Sequence, residues 1–181
     1  SMTFIKKITA SSDSDISFVD GTSSVVLDNT YKEYLFTFNN IHPATDGAQL
    51  KCNFSVDAGS NYNVAKTTTS FYAEHFEDNT TDFGYNSGKD EAQSTGDMFI
   101  FNNIGNDNDQ SGSGYMHLFN PSSTASVKNF IIIVNEYQSG DSSVNNFKGG
   151  YGNTTSAIDA VRFQMSSGNI DAGDICLYGI S

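Results

Sequence analysis

Apolar and polar residues alternate along most of the chain, and the 3.6-residue spacing of an amphipathic helix is hard to find. From Leu50 to Asp57, Leu50, Cys52, Phe54 and Val56 fall on one face and Lys51, Asn53, Ser55 and Asp57 on the other, the pattern of a half-buried strand. Val161, Phe163 and Met165 repeat it, with Arg162 and Gln164 turned to solvent. Phe130-Ile131-Ile132-Ile133-Val134 has no alternation, which predicts a strand covered on both faces, or one whose second face is buried in a subunit contact. Further strands are predicted from Phe4 to Thr9, Ile16 to Val19, Tyr34 to Asn39, Ser70 to Phe76, Met98 to Ile104, Tyr115 to Phe119 and Ile175 to Ile180. The total is about ten.

Turn clusters separate these runs: Asp20-Gly21, Asp46-Gly47, Ala58 to Asn61, Asn86-Ser87-Gly88, Gly105 to Gly114 and Gly149 to Gly152. Many short strands divided in this way predict an all-β, jelly-roll-like antiparallel sandwich and not βαβ units. One domain over residues 2–181 is expected, with Ser1 read as an expression scar before Met2. The stretch from Glu77 to Asp97 is poor in core-forming residues and reads as a long loop, either mobile or ordered by a neighbour.

Composition narrows the partners. The formal net charge is −12, with eight lysines and one arginine, Arg162, while Ser, Thr and Asn number 24, 15 and 19. A phosphate-backbone binder needs clustered cations, so nucleic acid is not an expected partner. No run approaches the ~20 apolar residues of a membrane span, and the first residues lack a secretory pattern, so a soluble chain made in the cytoplasm is expected. Cys52 and Cys176 are expected to be buried free thiols. The sequons at Asn53, Asn79 and Asn153 follow from the richness in Asn, Ser and Thr and carry no message.

Candidate chemistry is sparse. Asp107-Asn108-Asp109-Gln110-Ser111-Gly112 begins like a calcium loop, with alternating oxygen ligands and glycine at the sixth position, but Leu118 stands where the bidentate glutamate belongs. Asp107 and Asp109 are therefore metal candidates set against a plain Asx-rich turn. Tyr62, Tyr85 and Tyr151 are each expected in a Gly/Asn-rich loop and not in a strand, and are candidates for stacking on a sugar ring, set against tyrosines that cover their own turns or a neighbouring subunit. A glycosidase needs two facing carboxylates, and Glu74 and Glu136, in or beside strands, are the pair of interest; the expected reading places both on exposed strand faces. His42, His75 and His117 show no ligand spacing and are expected to be structural. No catalytic residue and no cofactor are expected.

Particular words in the sequence go further. Ala10 to Gly21, Tyr31 to Phe36, Asn40 to Asp46 and above all the closing Ser167 to Ile180, with its Gly-x-Ile-x-x-Gly-x-Ile-x-Leu-Tyr-Gly-Ile pattern, resemble a family of marine bacteriophage proteins. Such chains are common in viruses of oceanic cyanobacteria and are usually described as virion structural or tail-appendage proteins. The resemblance spans nearly the whole chain and implies a sandwich-type β domain in a virus particle, with no catalytic residues to carry over. The expected role is a structural or appendage part of that particle in contact with other virion proteins. Homo-oligomers are expected from the two-sided apolar run Phe130 to Val134 and the polar, low-charge surface. A lectin-like domain that recognises host-surface glycans is the second expectation, and a polysaccharide-degrading enzyme the third.

Overall fold

The computed structural model describes residues 1–181 and contains strands only. In chain order they are β1 (Met2–Thr9), β2 (Ile16–Val19), β3 (Glu33–Pro43), β4 (Leu50–Ser55), β5 (Lys66–Phe76), β6 (Thr81–Tyr85), β7 (Glu91–Ser94), β8 (Met98–Phe99), β9 (Gly112–Phe119), β10 (Lys128–Gln138), β11 (Ser142–Gly152), β12 (Ala160–Met165) and β13 (Ile170–Ile180). Every pairing is antiparallel.

The strands form a sandwich of unequal sheets. A four-stranded sheet has the order β2-β12-β4-β8, and a nine-stranded sheet the order β1-β13-β3-β9-β10-β11-β5-β6, with β7 also on β5. Set β5–β7 and β10–β11 aside and two four-stranded sheets remain, β1-β13-β3-β9 and β2-β12-β4-β8, which the chain builds in jelly-roll order, crossing between them at every step but β4 to β8. The remaining strands are two insertions, β5–β7 after β4 and the β10–β11 hairpin after β9, which join edge to edge and extend one sheet.

Between the sheets lies one cluster of 30 buried residues. Phe163 of β12 sits at its centre, with ring centroids 6.3, 5.5 and 5.3 Å from those of Phe18, Phe36 and Phe38, all edge-to-face. Cys52 and Cys176 are both buried free thiols, as expected.

The apolar run on β10 is covered on one face only. Phe130, Ile132 and Val134 enter the core, while Ile131 is 48 % exposed on the opposite face. Coverage on both faces is therefore corrected, because the small sheet lies on one side and nothing in the chain covers the other. The Glu77–Asp97 segment is likewise not one long loop. It forms β6 and β7, and its end is pinned where the Asp97 carboxylate accepts hydrogen bonds from Asn53, Gln164 and Arg162.

Candidate functional site

Antiparallel register puts directly opposite residues on one face, so rows can be followed across the large sheet. The inner row Glu136–Val144–Glu74 crosses β10, β11 and β5. Two strand spacings separate the glutamates, about 10 Å between their Cα atoms. Both line one cavity of about 280 Å³, together with Tyr72, Lys89, Asn102 and Gln138. The expectation that Glu74 and Glu136 point outward is thus corrected. Glu136 is two residues beyond Val134 on the buried face of β10 and is only 1 % exposed.

A chain of polar contacts fixes the cavity floor. The Lys148 ammonium donates to Ser70 Oγ at 2.8 Å and to Asn102 Oδ1 at 2.9 Å. With its oxygen so engaged, Asn102 turns its amide nitrogen to Asn146 Oδ1 at 2.6 Å, while its backbone N–H donates to Glu136 Oε2 at 2.9 Å. Two atoms are left over: Glu136 Oε1, an acceptor, and Asn146 Nδ2, a donor, are both buried with no hydrogen-bond partner. Such orphans are costly, and a native fold that keeps them invites an explanation.

Burial shifts both charged members toward neutrality. It pushes the Glu136 carboxyl above the usual carboxylate range, against the opposing pull of the Asn103 and Asn102 amides, Asn146 and Lys148. It pushes the Lys148 ammonium down to about 8, with nearby Glu136 opposing and Lys89 adding to the shift. Glu74, nearer the mouth, accepts from Gln138 Nε2 at 2.9 Å and Ser142 Oγ at 2.6 Å.

The three tyrosines do not converge. Tyr85 ends β6 opposite Phe71, and Tyr151 lies inside β11 opposite Thr67, so both occupy strands on the outer face of the large sheet and not loops. Their row positions on β5, Thr67 and Phe71, are four residues apart, or about 13 Å. Tyr85 donates to Asp90, and Tyr151 accepts a long bond from Gln93. Tyr62 lies on the other side of the sandwich, beneath the Arg162 guanidinium at 4.6 Å.

Asp107 and Asp109 are not joined by further ligands. Gln110 closes the turn, its Oε1 accepting from the Asp107 N–H at 3.1 Å and its own N–H donating to the Asp107 carbonyl at 2.9 Å. Nowhere in the chain do three or more His, Cys, Asp or Glu side chains gather as a metal site would require. The histidines make structural contacts: His42 with Asp171 and the Asp107 carbonyl, His75 with Asn79, His117 with Glu33.

Comparison with protein-family models, with curated proteins and with solved structures finds no significant match in any of the three. Fold and site together define an extended jelly-roll sandwich with a polar pocket under its inserted strands.

Proposed function

We propose that the chain is a non-enzymatic structural or appendage component of a marine phage particle, working in the virion through self-association and contact with other virion proteins. The resemblance described above motivates the setting. The observation that carries the association is the outer face of the large sheet. Its central row runs Thr37–Tyr115–Ile133–Phe147–Phe71–Tyr85 over six strands. Phe71 and Phe147 stack with centroids 4.9 Å apart, and Phe71, Phe83 and Tyr85 are 41, 73 and 57 % exposed.

No Asp, Glu, Lys or Arg projects outward from β9, β10, β11 or β5 between Ser113 and Phe119, Asn129 and Tyr137, Ser143 and Tyr151, or Thr67 and His75. Copies carrying a charge of −12 repel over most approaches, and this uncharged face is where a second copy can dock. The uncharged strands, β9, β10, β11, β5 and β6, span about 24 Å and run roughly 25 Å, about 600 Å², the low end of what one partner contributes to a stable interface. The flanking strands place Glu33, Asp174 and Lys7 at the rim. A depression of about 520 Å³ between β3, β9 and β13 holds the buried, unpartnered Thr37 hydroxyl and would receive a side chain of the second copy.

Sedimentation of the full chain tests this. Dimers or larger oligomers are expected at about 10 µM, and Ile131→Asp with Phe71→Ser is expected to weaken association about a hundredfold or more. A wild-type monomer at about 500 µM would overturn the association.

A further inference from the structure

We propose that the pocket between β10, β11 and β5 binds a neutral saccharide, holding one sugar residue by its hydroxyl groups against Glu136 and Tyr72. The inference does not depend on self-association, since the pocket opens on the inner side of the sheet and the association face is the outer side.

The lining excludes other ligand classes one by one. An anion would meet the carboxylates of Glu74 and Glu136, with Lys89 the one cation in the lining. A metal cation would have only those two carboxylates, with Lys89 and Lys148 nearby, and no cluster of three ligating side chains exists. An apolar ligand would leave most of the wall unsatisfied, because Tyr72 and Val144 are the two lining residues with substantial apolar surface. What remains is a neutral ligand rich in groups that donate and accept at once. A sugar hydroxyl is such a group.

The orphaned carboxylate oxygen narrows the ligand. Glu136 lines the cavity, and its Oε1 is a buried acceptor without a donor, while Asn146, one row along on β11 and held by Asn102, lies behind the lining. A sugar hydroxyl can donate to Glu136 Oε1 and remove that buried penalty. Tyr72 has its hydroxyl fixed by Asp82 at 2.7 Å, which leaves its ring to meet the C–H face of a pyranose. The volume, about 280 Å³, is at the small end for a ligand pocket and suits a single residue and not a long oligosaccharide groove.

The test presents the full chain with glucose, galactose, mannose and N-acetylglucosamine, free and as methyl glycosides, with glycerol and inorganic phosphate alongside. Saturation-transfer NMR and calorimetry read binding. At least one sugar is expected to bind saturably, and Glu136→Gln to weaken it about tenfold or more, the loss of one hydrogen bond to a charged group. Tyr72→Ala, which removes the ring offered to the C–H face of the sugar, is expected to weaken it severalfold and keeps the test decisive if the Glu136 variant does not fold. Tyr62→Ala and Tyr151→Ala are expected to bind as the parent does. The proposal fails if no sugar binds up to about 20 mM, if glycerol or phosphate binds as well as the best sugar, or if neither pocket variant changes the affinity.

Discussion

Along the inner row that crosses the large sheet, Leu177, Phe36, Met116 and Ile132 stand on β13, β3, β9 and β10, and Lys148 and Ser70 continue the same row on β11 and β5. The next row repeats the change, from Ile175, Phe38 and Val134 to Asn146 and Tyr72. All these side chains face the same way, and the four apolar residues of the first row and the three of the second are as buried as Lys148 and Asn146. What differs is the cover. The small sheet covers β13, β3, β9 and the apolar part of β10 with Phe18, Phe54 and Phe163, whereas β11 and β5 are roofed by the irregular chain around Asn102, whose backbone polar groups demand partners. One face therefore holds an apolar core that supplies stability and a polar floor that supplies a site.

The largest expected effect breaks the apolar side. Phe163→Ala empties the position where Phe18, Phe36 and Phe38 converge and is expected to destabilise the chain by about 3–5 kcal/mol in urea unfolding. A cost below about 1 kcal/mol would mean that the sandwich does not depend on this cluster.

The polar side is expected to respond less, and through hydrogen bonds. Lys148→Met removes the donor that Ser70 and Asn102 share and is expected to cost about 3 kcal/mol. Adding Glu136→Gln should return part of that loss, because the second buried charge is removed with the first. Strictly additive costs in the double-mutant cycle would show that Asn102 does not couple the two groups.

The same division explains what could be read from the amino-acid order. Nine of the ten expected strands exist, the one expected from Met98 to Ile104 shrinks to Met98–Phe99, and those of the jelly-roll half were legible because apolar residues occupy alternate positions there. The strands not foreseen are β6, β7 and β11; the first two bury nothing, and β11 buries mostly polar groups. On β11 the alternation is inverted: Val144, Asn146 and Lys148 are buried while Phe147 faces outward, so a hydrophobicity pattern has no grip on it. The site shared this obscurity, since it is built on β10, β11 and β5. One signal was present, for Glu136 continues the period-two series Phe130, Ile132, Val134 and so belongs on the buried face. The unbroken apolar run concealed that series. Asn102 could not have been found, because its place depends on how the chain after β8 crosses the inserted strands.

The smallest expected effect comes from pH and separates the halves without a core mutation. Burial holds Lys148 and Lys66 down to about 8 from 10.5, Lys66 against the opposing pull of Cys52, Asp97 and Glu91. In that window the unfolded chain binds more protons than the folded one, so stability should rise with pH, by about 1 kcal/mol per lysine between pH 7 and 9. Above about pH 10 the trend should reverse, because burial raises the Tyr34 phenol and the unfolded chain then releases its tyrosine protons first. Urea unfolding at pH 7, 8 and 9 measures the rise. The Lys148→Met chain should show about half the slope, since Lys66 keeps its share, whereas Phe163→Ala should lower the whole curve and leave the slope unchanged. An equal slope in parent and Lys148→Met would place the titration outside the polar floor.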